Sequence, residues 1–327
     1  MKSREPIPYA FDPELAPLVP LLPQVDMADP GAAREALALF AAAGGSGVSV
    51  DRADLAISDH LVPHPGGPEV LVRVYRPDER SRPRAGLLYM HGGGFVIGTI
   101  ETEEMNATTL ARDLGIVVAS VDYRLAPENP YPAGLDDCSA ALEWLHRGAE
   151  EFGIDAGRIG VYGQSAGGGI AAALALRTRR HGGPPICFQF LGIPELDDRL
   201  DTPSMRAFVD TPLWNRPNAI LSWAHYLGDL DGKVPDEAAP ARASDLKGLP
   251  PAYISAMEFD PLRDEAIEYA TRLLHAGVPT ELHVFPGTFH GSSFISGAAI
   301  TQRTHQEELA ALRRGLRLDP RDTGQSR

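Results

Sequence analysis

The sequence lacks any long hydrophobic run, and this absence excludes the simplest membrane proteins. No stretch of its 327 residues approaches the roughly 18 uninterrupted apolar residues that a membrane-spanning helix requires. The first residues, MKSREPIPYAFDPE, also lack the apolar segment of a secretory signal peptide. We therefore expect a cytoplasmic protein that does not insert into a membrane.

Cysteine is scarce, since only Cys138 and Cys187 are present. Two thiols cannot build the disulfide framework of a small secreted domain. We interpret both side chains as small, buried and reduced. A catalytic cysteine is not expected.

Positive charge is in deficit as well. The chain has 44 acidic residues against 30 Lys and Arg, a net charge of −14, and no basic cluster. Proteins that bind nucleic acid need such clusters to neutralise phosphates, so we expect no nucleic-acid partner. Because the same negative field slows the approach of anions, neutral esters are the more natural ligands.

What the sequence does contain is the balance of a folded globular protein, with 43% apolar and 23% charged residues. Short apolar runs alternate with segments of helical composition, which predicts parallel β-α-β units and a doubly wound sheet covered by helices on both faces. The predicted strands are 69–76, 85–90, 116–121, 158–162, 187–191, 252–257 and 280–285, and the predicted helices include 31–43, 103–114, 135–147 and 169–180.

One main α/β domain with insertions accounts for this chain length. The N-terminal residues are rich in Pro and Ala, and a later segment interrupts the strand–helix rhythm with many Asp, Pro and aromatic residues, as a cover over a site does. The predicted parts are an N-terminal cap segment (1–60), the first part of the core (61–195), a cap insertion (196–246) and the second part of the core (247–327).

Residues 163–167, GQSAG, match the pattern G-x-S-x-G directly after the predicted strand 158–162. Glycines permit a strained strand-to-helix turn that exposes a serine hydroxyl at the positive end of a helix dipole. The alternative is an ordinary glycine-rich turn in which Ser165 only caps the helix. The flanking strand and helix favour Ser165 as a nucleophile.

A second glycine motif, HGGGF at residues 91–95, follows the predicted strand 85–90. Three consecutive glycines let backbone N–H groups approach a ligand oxygen, as an oxyanion hole requires. Alone, the motif also suits a flexible loop or a weak phosphate-binding nest. Combined with GQSAG, it favours a single acyl-transfer site.

His290 is the candidate general base among the ten histidines. His91 belongs to the glycine motif, His275 to a predicted helix and His283 to the interior of a predicted strand. His290 follows the strand 280–285 in the loop PGTFHG, at the carboxyl edge of the sheet where α/β folds place their sites.

The acid of a Ser-His-acid triad is expected between serine and histidine in chain order. Asp260 follows the predicted strand 252–257 and precedes Pro261, a residue favoured at the first position of a helix. The simpler interpretation of Asp260 is a helix N-cap, and both roles are compatible. Glu258 and Asp264 are weaker candidates, the first nearer the strand and the second already within the helix.

These motifs, in this order, resemble the hormone-sensitive-lipase-like family of α/β-hydrolases, which includes many bacterial esterases. The resemblance implies the α/β-hydrolase fold, with a mostly parallel central sheet, helices on both faces and a helical cap. It rests on HGGGFVIG (91–98), DYRLAPENPYPA (122–133), GQSAGGG (163–169), EFDPLRDEA (258–266) and HG (290–291).

The resemblance implies a serine carboxylesterase for esters of short to medium acyl chain, with Ser165 as nucleophile, His290 as base and Asp260 as acid. No metal or organic cofactor is needed. The oxyanion donors that it implies are the backbone N–H groups of Gly93, Gly94 and Ala166.

One residue departs from the family pattern, because Gln164 stands where the family commonly has Asp. We expect its side chain to support the turn around Ser165 rather than to react. The substitution should therefore adjust the activity without abolishing it. The aromatic residues of the insertion favour an apolar acyl pocket. The candidate substrate contacts are Phe95, Phe208 and Trp214.

Other functions use the same fold. An amidase or an arylacetamide deacetylase would have the same triad. A non-catalytic binding protein, such as the plant gibberellin receptors that resemble this family, would lose the base, whereas His290 is present. Members of the family often dimerise through the edge of the sheet, so a homodimer is a candidate assembly.

Overall fold

The computed structural model describes residues 9–43, 52, 54–64, 66–78, 83–230 and 232–318. In this part of the chain eight strands form one sheet, in the order β1-β2-β4-β3-β5-β6-β7-β8. Strand β2 runs antiparallel to both of its neighbours, and β4, β3 and β5 to β8 are parallel. The strands are β1 (Leu55–Val62), β2 (Val70–Pro77), β3 (Arg84–Met90), β4 (Val117–Asp122), β5 (Ile154–Gln164), β6 (Gln189–Gly192), β7 (Ala252–Phe259) and β8 (Thr280–Phe289).

Helices connect these strands and cover both faces of the sheet. The α-helices are α1 (Pro30–Ala42), α2 (Glu104–Leu114), α3 (Ala133–Arg147), α4 (Ala149–Phe152), α5 (Ala166–His181), α6 (Pro203–Ala207), α7 (Arg216–Leu227), α8 (Arg263–His275) and α9 (Ala299–Gly315), and 3₁₀ helices span Ala16–Leu21, Pro240–Arg242 and Ser292–Phe294.

The two faces of the sheet bury different sets of side chains, because neighbouring residues of a strand point to opposite sides. Leu88 of β3 belongs to the core under α3, α5 and α8, where Leu174 is also fully buried. Leu87 belongs to the core under α2 and α9, together with Leu312. Burial on both faces explains why the central strands are nearly continuous apolar runs.

The expected α/β-hydrolase fold is confirmed, but strand β1 was not predicted. Its residues, LAISDHLV, pair in antiparallel register with β2 from Leu55 opposite Pro77 to Val62 opposite Val70. As an edge strand, β1 is largely half-buried or exposed and carries Asp59 and His60, so its sequence has no clear hydrophobic signal. The predicted boundary at residue 60 therefore falls inside a strand of the sheet.

The N-terminal segment is attached to the core close to the glycine motif. Helix α1 begins at Pro30, where the Asp29 side chain accepts the N–H of Ala32 at 3.1 Å. From α1, Arg34 donates to the backbone oxygens of Val96 at 2.8 Å and Ala126 at 2.9 Å. These two bonds fasten α1 to the loop that follows residues 91–95 and to the loop that follows β4.

The predicted insertion lies between β6 and β7 and contains α6 and α7. It packs against the N-terminal segment: Asn218 of α7 accepts the N–H of Met27 at 3.2 Å and donates to the oxygen of Val25 at 2.9 Å. His225 contacts the oxygen of Met27 at 2.9 Å. The two segments therefore form a continuous cover on the core.

None of the helices in the described ranges is both long enough and apolar enough to cross a bilayer.

Candidate active site

Ser165 lies in a sharp turn between β5 and α5, with φ of 54° and ψ of −123°. A non-glycine residue with positive φ is strained, and such strain is found mainly at functional sites. Glycines make the turn feasible: a Cβ on Gly163 would come within 2.1 Å of Gly167, and one on Gly167 within 2.2 Å of the Met90 oxygen. The N–H of Ser165 donates to the oxygen of Gly192 at 2.8 Å, which fixes the turn against β6.

The hydroxyl of Ser165 makes no capping bond to α5. Instead, its Oγ lies 2.9 Å from Nε2 of His290, and Nδ1 of His290 lies 2.7 Å from Oδ2 of Asp260. A carboxylate only accepts, so Nδ1 carries the hydrogen and the lone pair of Nε2 faces the serine hydroxyl. All three residues are buried, with 6%, 7% and 1% of their surfaces exposed for Ser165, His290 and Asp260.

Asp260 makes the contact with His290 that the sequence suggested, because its Oδ2 accepts from the imidazole. It is not the N-cap of α8, since this helix begins at Arg263 with Leu262 in the cap position, and Oδ1 of Asp260 accepts the N–H of Leu262 at 2.9 Å in the turn before the helix. Glu258 instead accepts the N–H of Gly287 at 2.7 Å, and Asp264 accepts the N–H of Ser204 at 2.7 Å. The structure therefore brings Asp260, rather than either neighbouring acid, to the imidazole.

The glycine motif lies beside the serine. The oxygen of Gly92 accepts from Nδ1 of His91 at 2.8 Å, and the oxygen of Gly93 accepts the N–H groups of Val96 at 3.0 Å and Ile97 at 2.9 Å. In a trans peptide the N–H points away from the preceding carbonyl oxygen. The N–H groups of Gly93 and Gly94 therefore point away from these bonds.

The third implied donor, Ala166, is the first residue of α5. The N–H groups in the first turn of a helix have no acceptor within the helix, so that of Ala166 is available at the positive end of the dipole. The structure thus places Ala166 directly after Ser165, at the end of α5 that can stabilise an anion.

His91 supports the glycine motif. Its ring is buried and stacks on Tyr123 with 4.2 Å between ring centroids, and the Tyr123 hydroxyl donates to the His91 oxygen at 2.8 Å. Burial lowers the pKa of the imidazole to about 4. His91 is therefore neutral near neutral pH, and its Nδ1–H donates to Gly92.

A cavity of about 420 Å³ contains Ser165, His290 and the glycines on its wall. Its wall includes apolar side chains of the cover and a group of polar side chains from β5, α9 and the start of α2. The apolar residues of the cover are Pro23, Val25, Leu37, Leu213 and Trp214, and the polar residues include Glu103, Asn106, Tyr162, Gln164, Gln302 and Glu308.

Of the three candidate substrate contacts, Trp214 lines the cavity. Phe95 is 2% exposed and stacks on Tyr226 of α7 with 4.0 Å between ring centroids. Phe208 packs against Phe259 at 6.1 Å and under the guanidinium of Arg263 at 5.3 Å. Neither phenylalanine is among the described residues of the cavity wall. The sequence could not predict this, because a position next to a motif does not determine which way the ring faces.

Of the polar residues on the cavity wall that come from β5, α9 and the start of α2, the sequence analysis singled out only Gln164. Each of the others has an ordinary sequence context. Gln164 donates to the Tyr162 hydroxyl at 2.9 Å, a contact that supports the turn before Ser165, while the Tyr89 hydroxyl donates to Glu103 at 2.7 Å. Burial raises the pKa of Glu308 to about 7.

Comparison with known proteins agrees with this geometry. A family model described as the alpha/beta hydrolase fold matches residues 87–294. Esterase LipI of Mycobacterium tuberculosis is 41% identical over 80% of this chain and 82% of its own. An ethyl acetate hydrolase of Pseudomonas putida is 34% identical over 72% and 74% of the two chains.

Solved structures give the same result at higher coverage. A bacterial heroin esterase is 52% identical and superposes with a TM-score of 0.91, covering 94% of this chain and 98% of its own. Esterase LipW from Mycobacterium marinum is 37% identical with a TM-score of 0.85, covering 94% and 96%. The chain therefore belongs to the hormone-sensitive-lipase-like family of α/β-hydrolases.

Proposed function

We propose that this serine carboxylesterase uses Ser165 as nucleophile, His290 as general base and Asp260 as the acid that orients the base. One observation carries the assignment: an unbroken chain of hydrogen bonds runs from the Ser165 hydroxyl through both ring nitrogens of His290 to Asp260. The proposed oxyanion donors are the N–H groups of Gly93, Gly94 and Ala166.

The reaction proceeds through an acyl-enzyme. His290 accepts the Ser165 proton as Oγ attacks the ester carbonyl, and the oxyanion is held by the backbone N–H groups. His290 then protonates the departing alcohol and activates a water, which releases the carboxylic acid. Asp260 keeps the imidazole in the tautomer with hydrogen on Nδ1 and stabilises the imidazolium. The mechanism uses only protein groups and water.

The proposed substrates are neutral esters of short to medium acyl chain. A cavity of about 420 Å³ is at the small end of the range for ligand sites. The net charge of −14 disfavours anionic esters. The name of the Pseudomonas putida relative also specifies a small neutral ester.

A panel of p-nitrophenyl esters of graded acyl length, assayed beside the matching p-nitroanilides, tests this substrate class. We expect kcat/KM to be greatest for short or medium acyl chains and to be at least ~100-fold lower for each anilide. Anilide turnover equal to ester turnover would favour the amidase alternative. A maximum at long chains would contradict the proposed acyl range.

Trp214 is the proposed limit on acyl length. We expect Trp214→Ala to raise the ratio of octanoate to acetate turnover by about tenfold, because removing the indole enlarges the cavity beside Gly94. Phe208→Ala is the matched control, since this ring packs on Phe259 outside the wall, and it should leave the ratio unchanged. Chain-length profiles of both variants check the prediction, and an equal effect of the two would remove Trp214 from the pocket.

The division of the chain stays a proposal, with the N-terminal cap segment ending before β1 at Leu55. A cytoplasmic location also stays a prediction.

A homodimer through the edge of β8 is proposed because this strand ends the sheet and Val284 is 44% exposed. Sedimentation at micromolar concentration tests it, with Val284→Glu expected to give a monomer.

A further inference from the structure

The mechanism above leaves one buried carboxyl beside the nucleophile without a role. Glu195 follows β6 and has no exposed surface. Its N–H donates to the oxygen of Ser165 at 3.0 Å, which fixes Glu195 to the same turn as the nucleophile. Within the described residues its Oε2 has no hydrogen-bond partner.

Ser222 of α7 connects Glu195 to the glycine motif. The Oγ of Ser222 lies 2.8 Å from the oxygen of Gly94 and 3.2 Å from Oε1 of Glu195. A serine hydroxyl carries one hydrogen, and a carbonyl oxygen only accepts. If Ser222 donates its one hydrogen to the Gly94 oxygen, which is the shorter contact, then Glu195 must supply the hydrogen for the other contact.

Only a protonated Glu195 supplies that hydrogen. We propose that Glu195 is a positioning residue whose neutral carboxyl donates to Ser222, so that Ser222 holds the Gly94 carbonyl and with it the glycine loop that carries the proposed oxyanion donors. This inference rests on the proposed function, because it concerns the same oxyanion hole. With an ionised Glu195, the hydroxyl would turn to the carboxylate and the Gly94 oxygen would face a lone pair.

The surroundings of Glu195 favour the neutral acid. Burial raises the pKa of Glu195 to about 8; the contact with Ser222 lowers this pKa and the charge of Asp260 raises it, but burial outweighs both. Glu265 of α8 is a second buried acid nearby, and the Glu195 charge raises its pKa further. Asp197 follows two residues later and acts on Glu265 in the same direction. Asp260 is the acid whose charge acts on Glu195 itself, and it opposes the ionisation of Glu195.

This arrangement predicts a specific loss of turnover in alkali. An acid with a raised pKa is protonated below that pKa and loses its proton above it, so the Ser222–Gly94 bond is present near neutral pH and is lost as pH rises through about 8. We expect kcat to fall at least ~10-fold between about pH 7 and about pH 9.5. The rate at which base must be added to hold the pH constant during hydrolysis of a neutral alkyl ester gives kcat at each pH and so measures this fall.

Two variants test the assignment. Glu195→Gln keeps a donor that cannot ionise in this range, so its kcat should fall less than about twofold over the same interval. Ser222→Ala removes the bond to Gly94 at every pH, so its kcat should be lower throughout, with the alkaline fall absent. Glu308→Gln is the matched control, a second carboxyl close to the turn, and it should keep the alkaline fall of the parent.

Melting temperatures across the same pH range separate unfolding from a loss of turnover. The carboxylic-acid band in the infrared spectrum should weaken in Glu195→Gln at neutral pH, which reports the proton without an assay. A flat parent profile, or a Glu195→Gln profile with the full alkaline fall, would overturn the proposal. Either result leaves esterase turnover at neutral pH intact, whereas failure of the nucleophile assignment concerns turnover at every pH.

Discussion

Replacing Ser165 with Ala should lower turnover by at least ~10⁴ while the protein stays folded. The hydroxyl forms the bond of the acyl-enzyme, and removing the nucleophile of comparable serine enzymes leaves only the contribution of the oxyanion hole and of binding. The substitution to alanine creates no packing defect, because the small side chain at position 165 faces the cavity. Ester hydrolysis and the melting temperature, measured together, check this result.

Covalent labelling gives an independent test of the same residue. An organophosphate should inactivate the parent with one label per chain, located on Ser165. Ser293 also lines the cavity and is the matched control, so Ser293→Ala should still be labelled and Ser165→Ala should not. Turnover of Ser165→Ala within tenfold of the parent, or a label on another serine, would move the nucleophile elsewhere.

The change Asp260→Asn is expected to lower kcat at least ~100-fold, which is about 2.7 kcal/mol at 1.36 kcal/mol per decade. The amide can present its nitrogen to Nδ1 of His290, which selects the wrong tautomer and removes the charge that stabilises the imidazolium. The equivalent change in serine proteases lowers turnover by about 10⁴. Steady-state kinetics of the variant measure the loss.

The turn before α8 separates a catalytic role of Asp260 from a structural one. Asn keeps a side-chain oxygen that can accept the N–H of Leu262 in this turn, so the melting temperature of Asp260→Asn should barely change. Glu258→Gln and Asp264→Asn are controls, because these acids accept from Gly287 and Ser204 rather than from His290. A variant of Asp260 that melts earlier yet retains turnover would reduce Asp260 to a support of the turn before α8.

The order of the elements and the sharp turn at Ser165, the proposed nucleophile, could be predicted from the sequence because both depend on local rules. A strand such as β4, buried on both faces, is an apolar run, and the turn at Ser165 requires glycines at fixed distances. The candidate acid and base could be ranked by chain order and by their position after a strand. Strand β1, with its exposed and charged residues, carried no such signal.

The wall of the cavity was less predictable, since it is assembled from distant segments. Phe95 neighbours the glycines in sequence, yet its ring packs on Tyr226 of the insertion. Glu308 lies far from Gln164 in the chain and meets the turn only through the packing of α9. Glu195 belongs to no recognisable motif, and its proposed role depends on the two contacts of the Ser222 hydroxyl on α7.

The attachment of Gly94 to the insertion limits how the cover can move. A Cβ on Gly94 would lie 2.4 Å from the Trp214 ring and 3.0 Å from the Ser222 hydroxyl, so this glycine is in tight contact with the cover. A conformation in which the insertion moves away loses both contacts, and with them the support of the loop that carries the proposed oxyanion donors. If substrate enters through an open conformation of the cover, the molecules in that conformation do not turn over. A ligand that binds the closed conformation more tightly than the open one raises the fraction of active molecules, and the ratio of the two affinities sets the size of the increase.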